Sequence, residues 1–350
     1  MRSVRTRFST DAGPTAVTLS RASLAGLLVV FGAARLLGET VSLRTQAAVY
    51  LVGMVALNLP HGGYEHFANL RRRAQRFRGR YVAGYLCLAA AFLGLFLVAP
   101  VVGLALAVGV AVLKGGGGDL YVLEATTGTG HLRTRGQRLL AVVARGGAVM
   151  AVPIVAFPAT FHTFSSLMVG MVDPGGLAGV AAQFDVTRPL IAGVYGAAVL
   201  THVGVGYRRR PGTGAWAADA AETALLVAYF AVVPVVVAVG LYFPLWYSAR
   251  QVARELAVDD PVEEGPDLLG GDGVSTGAVA LRAWGVLVAG ALATAAVAVA
   301  FWLLVPNPLP GGSLRFGGVA FWSVFISVIA LPHVVVGSVL DRGRGIWHVP

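Results

Sequence analysis

Three short stretches of this chain concentrate side chains that can do chemistry. The first is Asn58-Leu59-Pro60-His61-Gly62-Gly63-Tyr64-Glu65-His66-Phe67. On a helix, His61 and Glu65 are four apart and share a face, and a carboxylate beside an imidazole can orient it as a metal ligand. Pro60 bends a helix and frees a carbonyl one turn earlier. A polar helix end reaching toward lipid headgroups fits the same residues. The second stretch is Lys114-Gly115-Gly116-Gly117-Gly118-Asp119. Four glycines permit close backbone approach or unusual dihedrals. No Gly-Lys-Ser/Thr follows and no strand precedes, so it is not a P-loop, and on pattern alone it reads as a flexible turn. The third stretch is Gly240-Leu241-Tyr242-Phe243-Pro244-Leu245-Trp246-Tyr247-Ser248-Ala249-Arg250-Gln251. Tyr247 and Gln251 share a helix face beside Arg250, although an interfacial aromatic girdle would look the same.

The elements that must position these residues are membrane helices. Apolar residues make up 56% of the 350 positions and charged residues 13%, about half the charged share of a soluble domain. The runs 92–98, 101–113, 224–245 and 285–305 contain no Asp, Glu, Lys or Arg. A span needs ~20 apolar residues, and without water the backbone must satisfy itself as helix. Barrel strands would show ~10-residue alternating segments instead. The expected fold is therefore an all-α, polytopic transmembrane bundle. Eight or nine spans are predicted near 22–38, 46–66, 80–98, 99–115, 138–160, 187–206, 222–248, 280–305 and 317–340. The third and fourth meet at Ala99-Pro100. Asp173-Pro174-Gly175-Gly176 breaks 163–186, which reads as an external loop or a re-entrant segment.

Lys and Arg in short loops set orientation. Arg2, Arg5, Arg7 and Arg21, the arginines at 71–80, those at 133–138 and Arg208-Arg209-Arg210 place the N-terminus and these loops in the cytoplasm of a multi-pass protein of the cell membrane. The acidic 255–272 loop then falls outside. Arg342 and Arg344 fall outside as well, against the rule. The organisation expected is a basic cytoplasmic tail over 1–21, one transmembrane helical domain over 22–340 and a short tail over 341–350. The first apolar stretch contains Arg35 and no small-x-small site follows, so it reads as an uncleaved anchor. A single cysteine, Cys87, excludes an internal disulfide and a Cys-x-x-Cys site. The net charge of +10 is spread over separate juxtamembrane loops, which argues against a nucleic-acid partner.

Polar groups within spans are candidates by default. His61, His202 and His333 lie within or at the ends of apolar runs. His131 and His348 read as ordinary loop or tail residues.

Together the three stretches resemble the Brp/Blh family of membrane β-carotene 15,15′-dioxygenases. Pro60-His61-Gly62-Gly63-Tyr64-Glu65-His66 resembles its Pro-His-Gly-x-x-Asp-His motif. The 114–119 stretch stands where the family has His-Phe-Gly-x-x-Asp, and 242–251 where it has Tyr-Phe-x-x-Trp-His-Ser-x-Arg-His. Arg145-Gly146-Gly147, Pro153, Pro158 and Phe161-His162 resemble its central segment, and Ala330-Leu331-Pro332-His333 its last helix. The resemblance runs from about 46 to 340.

It implies an Fe(II) cofactor held by four histidines and central cleavage of β-carotene by O₂ to two retinals. Neutral imidazoles suit ferrous iron, and open positions admit O₂. The resemblance also implies membrane lipid, carotenoid or retinal as partners, with an opsin as a further one. This chain keeps one of the four ligand positions, His61. Lys114, Tyr247 and Gln251 occupy the others, while Asp119, Ser248 and Arg250 remain, with Glu65 and His66 beside His61. Iron is then either lost or held by a rearranged set that uses His66, His202 or His333. The reading is a carotenoid-cleaving membrane protein with an altered iron site. The alternative is a non-catalytic carotenoid- or retinal-binding or opsin-biogenesis accessory protein of the same fold. A transporter would call for two inverted halves, which the sequence does not show. The motifs at 61 and 114 end on one side of the membrane and that at 247 on the other. This conflicts with a shared site unless the span count between 115 and 222 is wrong or the site lies near mid-membrane.

Overall fold

A computed structural model describes residues 9–58, 78–251 and 276–340. Every long element among them is a helix. α1 spans Ser9–Leu36. α2 spans Leu43–Leu51 and continues as a π-helix over Val52–Asn58. α3 is Arg78–Val98, α4 Pro100–Thr126, α5 Arg135–Ala156 and α6 Pro158–Gly170. α7 is Phe184–Arg209 and α8 Gly214–Val232. α9 is Val235–Tyr242, followed by a second π-helix over Phe243–Ser248. α10 is Thr276–Leu304 and α11 Leu314–Leu340.

Local chemistry marks the ends. Thr134 caps α5, its hydroxyl accepting from Gln137 N at 3.3 Å, and Ser42 caps α2 through Thr45 N at 3.2 Å. Pro100 and Pro158 open α4 and α6, where a missing N–H costs nothing. Six helices are long and apolar enough to cross a membrane, and 82–98 and 294–304 are shorter apolar helices. The helical bundle is as expected; the figure of eight or nine spans is not confirmed. α1 also begins inside the 1–21 segment expected to be a tail, and carries Arg21 on its first half.

The glycine run over 115–118 is the first correction. It is helix, well inside α4, not a turn. A Cβ on Gly116 would run into the carbonyl of Val142, and one on Gly146 into the carbonyl of Val112. These glycines let α4 and α5 pack backbone to backbone, as small residues do between membrane helices. That contact outweighs glycine's poor helix propensity.

The second correction resolves the topological conflict. The stretch 222–248 is not one span. At 1.5 Å per residue a straight helix would separate 222 from 250 by about 42 Å, yet Arg250 Nη1 donates to Glu222 Oε1 at 2.8 Å. The chain reverses at Val233-Pro234, and Tyr229 Oη reaches the carbonyl of Ala238 across the turn. α9 therefore runs parallel to α4 and α2. The Tyr242 hydroxyl lies beside Gly115, and Tyr247 beside Gly118, while Ser248 bonds Asn58. Asn58 of the first motif and the 114–119 and 242–251 motifs thus approach the same end of the bundle. Gln251 lies at that end, as does Arg209, which bonds Gln137 at 3.0 Å. The acidic 255–272 stretch, expected to fall outside, lies outside the described residues.

α6 and the turns that follow leave from the Ala156 end and return to it, where Arg188 Nη2 donates to the Val155 carbonyl at 2.9 Å. Within 163–186, Phe164 is buried against Phe316 at the start of α11. An aromatic layer of Phe92, Phe96, Phe301, Phe321 and Phe325 closes the α3–α10–α11 side.

Candidate functional site: a capped apolar cavity above an ionic cluster

α2, α4, α6, α9 and α11 surround a cavity of about 190 Å³. Along α4 its wall runs from Leu104 to Lys114, about 15 Å of helix. Apolar side chains such as Met54, Val108, Phe161, Val236 and Phe243 make most of the lining. Lys114, Tyr247 and Asn58 line one end, with Ser327 of α11, while Thr160, Ser165 and the Tyr50–Ser323 pair are polar residues elsewhere on the wall.

Both π-helices lie at this end. Pro244 has no N–H, so the Gly240 carbonyl lacks its usual donor four residues on. That carbonyl faces Gly53, near the start of the first π-helix, and a Cβ on Gly240 would meet Tyr50 Cα of α2 at 2.5 Å. Glycine contacts thus hold the start of the first π-helix against the turn that precedes the second. Single-turn π segments are frequent at functional sites. Ser248 Oγ donates to Asn58 Oδ1 at 2.9 Å and ties the ends of both.

Three of the four positions aligned with family ligands meet here. Lys114 Nζ stands 5.3 Å from the centroid of the Tyr247 ring, a cation–π arrangement. One turn on, Gly118 makes room for the other two: a Cβ there would lie 2.7 Å from Tyr247 Cε2 and 2.8 Å from Gln251 Nε2. Gln251 is buried, and its Nε2 finds no hydrogen-bond partner among the described residues. His61, Glu65 and His66 lie outside the described residues. Asn58, three residues before His61, is on the cavity wall. His333 lies on α11, three residues beyond the cavity-lining Ala330.

Below Gly118 the character changes from apolar to ionic. Asp119 pairs with Arg145 Nε at 2.8 Å and with Arg250 Nε at 2.8 Å. Glu222 takes both terminal nitrogens of Arg250, each at 2.8 Å, and Arg21 Nε at 2.8 Å. Asp219 accepts from Arg145 Nη1 at 2.6 Å. His131 Nε2 and His202 Nε2 both contact Asp219 Oδ2, at 2.8 and 3.1 Å. Arg145 also reaches Glu222. The Arg250 guanidinium stacks 4.3 Å over Trp246. Three arginines meet three carboxylates, so the cluster balances when both imidazoles are neutral. Each buried charge has a partner, the condition under which such groups are tolerated.

Ser248 bonds Asn58 beside the cavity, whereas Arg250 and Asp119 belong to the ionic cluster and do not line the cavity. His202 binds Asp219 and does not reach the cavity wall. His131, expected as an ordinary loop residue, is buried in the same cluster. Asp219 and Glu222 escaped the sequence reading. Their signal was present: two carboxylates three apart in an otherwise alanine-rich helix, the spacing that puts both on one face.

The donor set among the described residues does not fit ferrous iron. A lysine ammonium repels a cation, an amide is a weak ligand, and a tyrosine must lose its proton to bind. No group of three or more His, Cys, Asp or Glu among the described residues is disposed to hold a metal.

Residues 52–341 match the family described as beta-carotene 15,15'-dioxygenase. The chain belongs to that family. It is 55% identical over 343 residues, 97% of this chain and 96% of the relative, to the "Probable beta-carotene 15,15'-dioxygenase Brp" of Halobacterium salinarum strain R1. The same figures hold for the protein of that name from strain NRC-1. It is 36% identical over 339 residues, 94% of this chain and 95% of the relative, to the "Probable beta-carotene 15,15'-dioxygenase Blh" of strain NRC-1. No solved structure matches the chain.

Proposed function

We propose that this family member holds part of a carotenoid chain in the apolar cavity and does so without a four-imidazole iron centre. The supporting observation is the geometry at positions 114, 247 and 251: the fold brings them to one place, and they present an ammonium, a phenol and an amide. The cavity of about 190 Å³ is smaller than the roughly 300–1,000 Å³ of a pocket that encloses a whole ligand. It takes one arm of a long polyene, with the rest between helices or in lipid. In this reading the ionic cluster fixes α4 against the end of α9. It acts by position and does not touch the ligand.

A second reading, oxidative cleavage at a rearranged centre, draws support from Asn58 and Ala330. Both line the cavity wall, and each stands three residues before a histidine, His61 and His333. Expression in a β-carotene-producing cell separates the two. The first reading expects copurified β-carotene, little retinal and no stoichiometric iron. In the triple variant Lys114→His, Tyr247→His, Gln251→His, iron content rises, and removal of His61 from it abolishes the gain. Robust retinal production by the unmodified protein, lost on iron chelation, overturns the first reading in favour of the second.

The membrane orientation is part of the proposal. The Lys114 end also holds Arg133, Arg135 and Arg209, which supports a cytoplasmic placement of that end and of the N-terminus in the cell membrane. A reporter fused after Arg210 is then cytoplasmic. An external signal after Arg210 would reverse the assignment.

A further inference from the structure

Lys114 is the only lysine in the 350 residues; the other 26 of the 27 Lys and Arg residues are arginine. Wherever the described bundle buries a cation against carboxylates, at Arg145 and Arg250, it uses arginine. The single side-chain primary amine stands instead on the wall of the apolar cavity, at the end where Tyr247 and Asn58 lie. Among the described residues no hydrogen bond or ion pair holds Nζ, which stands 5.3 Å from the centroid of the Tyr247 ring. Asp119, five residues on, is already committed to Arg145 and Arg250.

An arginine would supply the same charge there and satisfy any need for a cation. What lysine adds is a nitrogen that can lose its proton and attack a carbonyl, which a guanidinium does not do in proteins. Amines of this kind form imines with carbonyl ligands.

We propose that Lys114 captures a polyene aldehyde as an imine within the cavity. This rests on the reading that the cavity takes a carotenoid-type chain. The ligand class is the aldehyde made when the central double bond of a carotenoid is cleaved, of which retinal is one. The neutral Nζ adds to the aldehyde carbon. The two amine hydrogens leave with the carbonyl oxygen as water, and C=O is exchanged for C=N. No oxidant or reductant is consumed. The polyene lies along the apolar wall toward Leu104, and the Tyr247 ring faces the nitrogen, where it stabilises the protonated imine. A chain so equipped retains or hands on an aldehyde; it does not need to make one.

The test uses the full-length protein in detergent micelles. All-trans-retinal is added, excess is removed by gel filtration, and bound ligand is reduced with borohydride, which converts an imine to a stable secondary amine. Peptide mass spectrometry then locates the adduct. The wild type carries a retinyl group on the peptide containing Lys114. Lys114→Arg and Lys114→Met, which remove the amine with and without the charge, lose it. Ala111→Phe keeps the amine but fills the cavity one turn away, and loses most of the adduct. An adduct that persists in Ala111→Phe shows the amine reacting from outside the cavity and overturns the proposal. Retinal and β-carotene both retained by the wild type, with no adduct or one on the α-amine alone, overturn the imine and leave the cavity reading intact. Retention of neither compound removes both.

Discussion

The ionic cluster and the polar end of the cavity begin five residues apart on one helix, at Asp119 and Lys114, yet they are built on opposite terms. In the cluster every buried charge meets an opposite one, and seven parts of the chain contribute: α1, α4, the loop that carries His131, α5, α7, α8 and the residues after α9. At the cavity end Lys114 has an aromatic face, and the Gln251 amide nitrogen has no described partner. A network whose members all depend on one another resists change, because removal of one charge strands others. A site with unspent donors is free to take a ligand. The difference separates the part that holds the bundle together from the part left open to a ligand.

The comparison breaks most sharply at Arg145. Arg145→Met leaves Asp119 and Asp219 without their central cation and strands charge that is costly to bury, of the order of 3–5 kcal/mol. The expected outcome is loss of folded protein, read by thermal unfolding in detergent. Unfolding unchanged from wild type would show that the cluster does not bear on stability. Next in size is Gly146→Leu. The side chain meets the Val112 carbonyl and must push two helices apart; about 1–3 kcal/mol of overpacking is expected, seen as a lower unfolding temperature. An undiminished temperature would contradict the close α4–α5 contact.

At the cavity the effects move from folding to ligand. Ala111→Phe fills the cavity, and β-carotene retained through purification falls about tenfold, equivalent to ~1.4 kcal/mol, while the unfolding temperature stays near wild type. Equal retention would place the ligand elsewhere. The smallest effect is expected at Gly118→Ala. The added methyl displaces the flexible ends of Tyr247 and Gln251 rather than backbone, so stability changes by about 1 kcal/mol or less, and the ultraviolet signature of the Tyr247 environment shifts. A collapse of the fold would mean that the site is as rigid as the cluster beneath it.

The sequence by itself determined that the chain is a helical membrane protein, because runs without charge fix helix in a medium that cannot solvate backbone. It also singled out the three polar stretches and the family they resemble. The sequence left three matters open. Periodicity does not show where an apolar run turns back, and 222–248 looks like one span until Arg250 is found on Glu222. Pro234 was the available signal, but a proline kinks many membrane helices without reversing them. Glycine's propensity argues for a turn at 115–118, and only the approach of α5 shows why those residues stay helical. Ion pairs between distant residues, such as His131 or Arg145 with Asp219, depend on which helices become neighbours. Spans and motifs follow from local chemistry, whereas the meeting of Lys114, Tyr247 and Gln251 at one cavity follows from the packing of helices far apart in the chain.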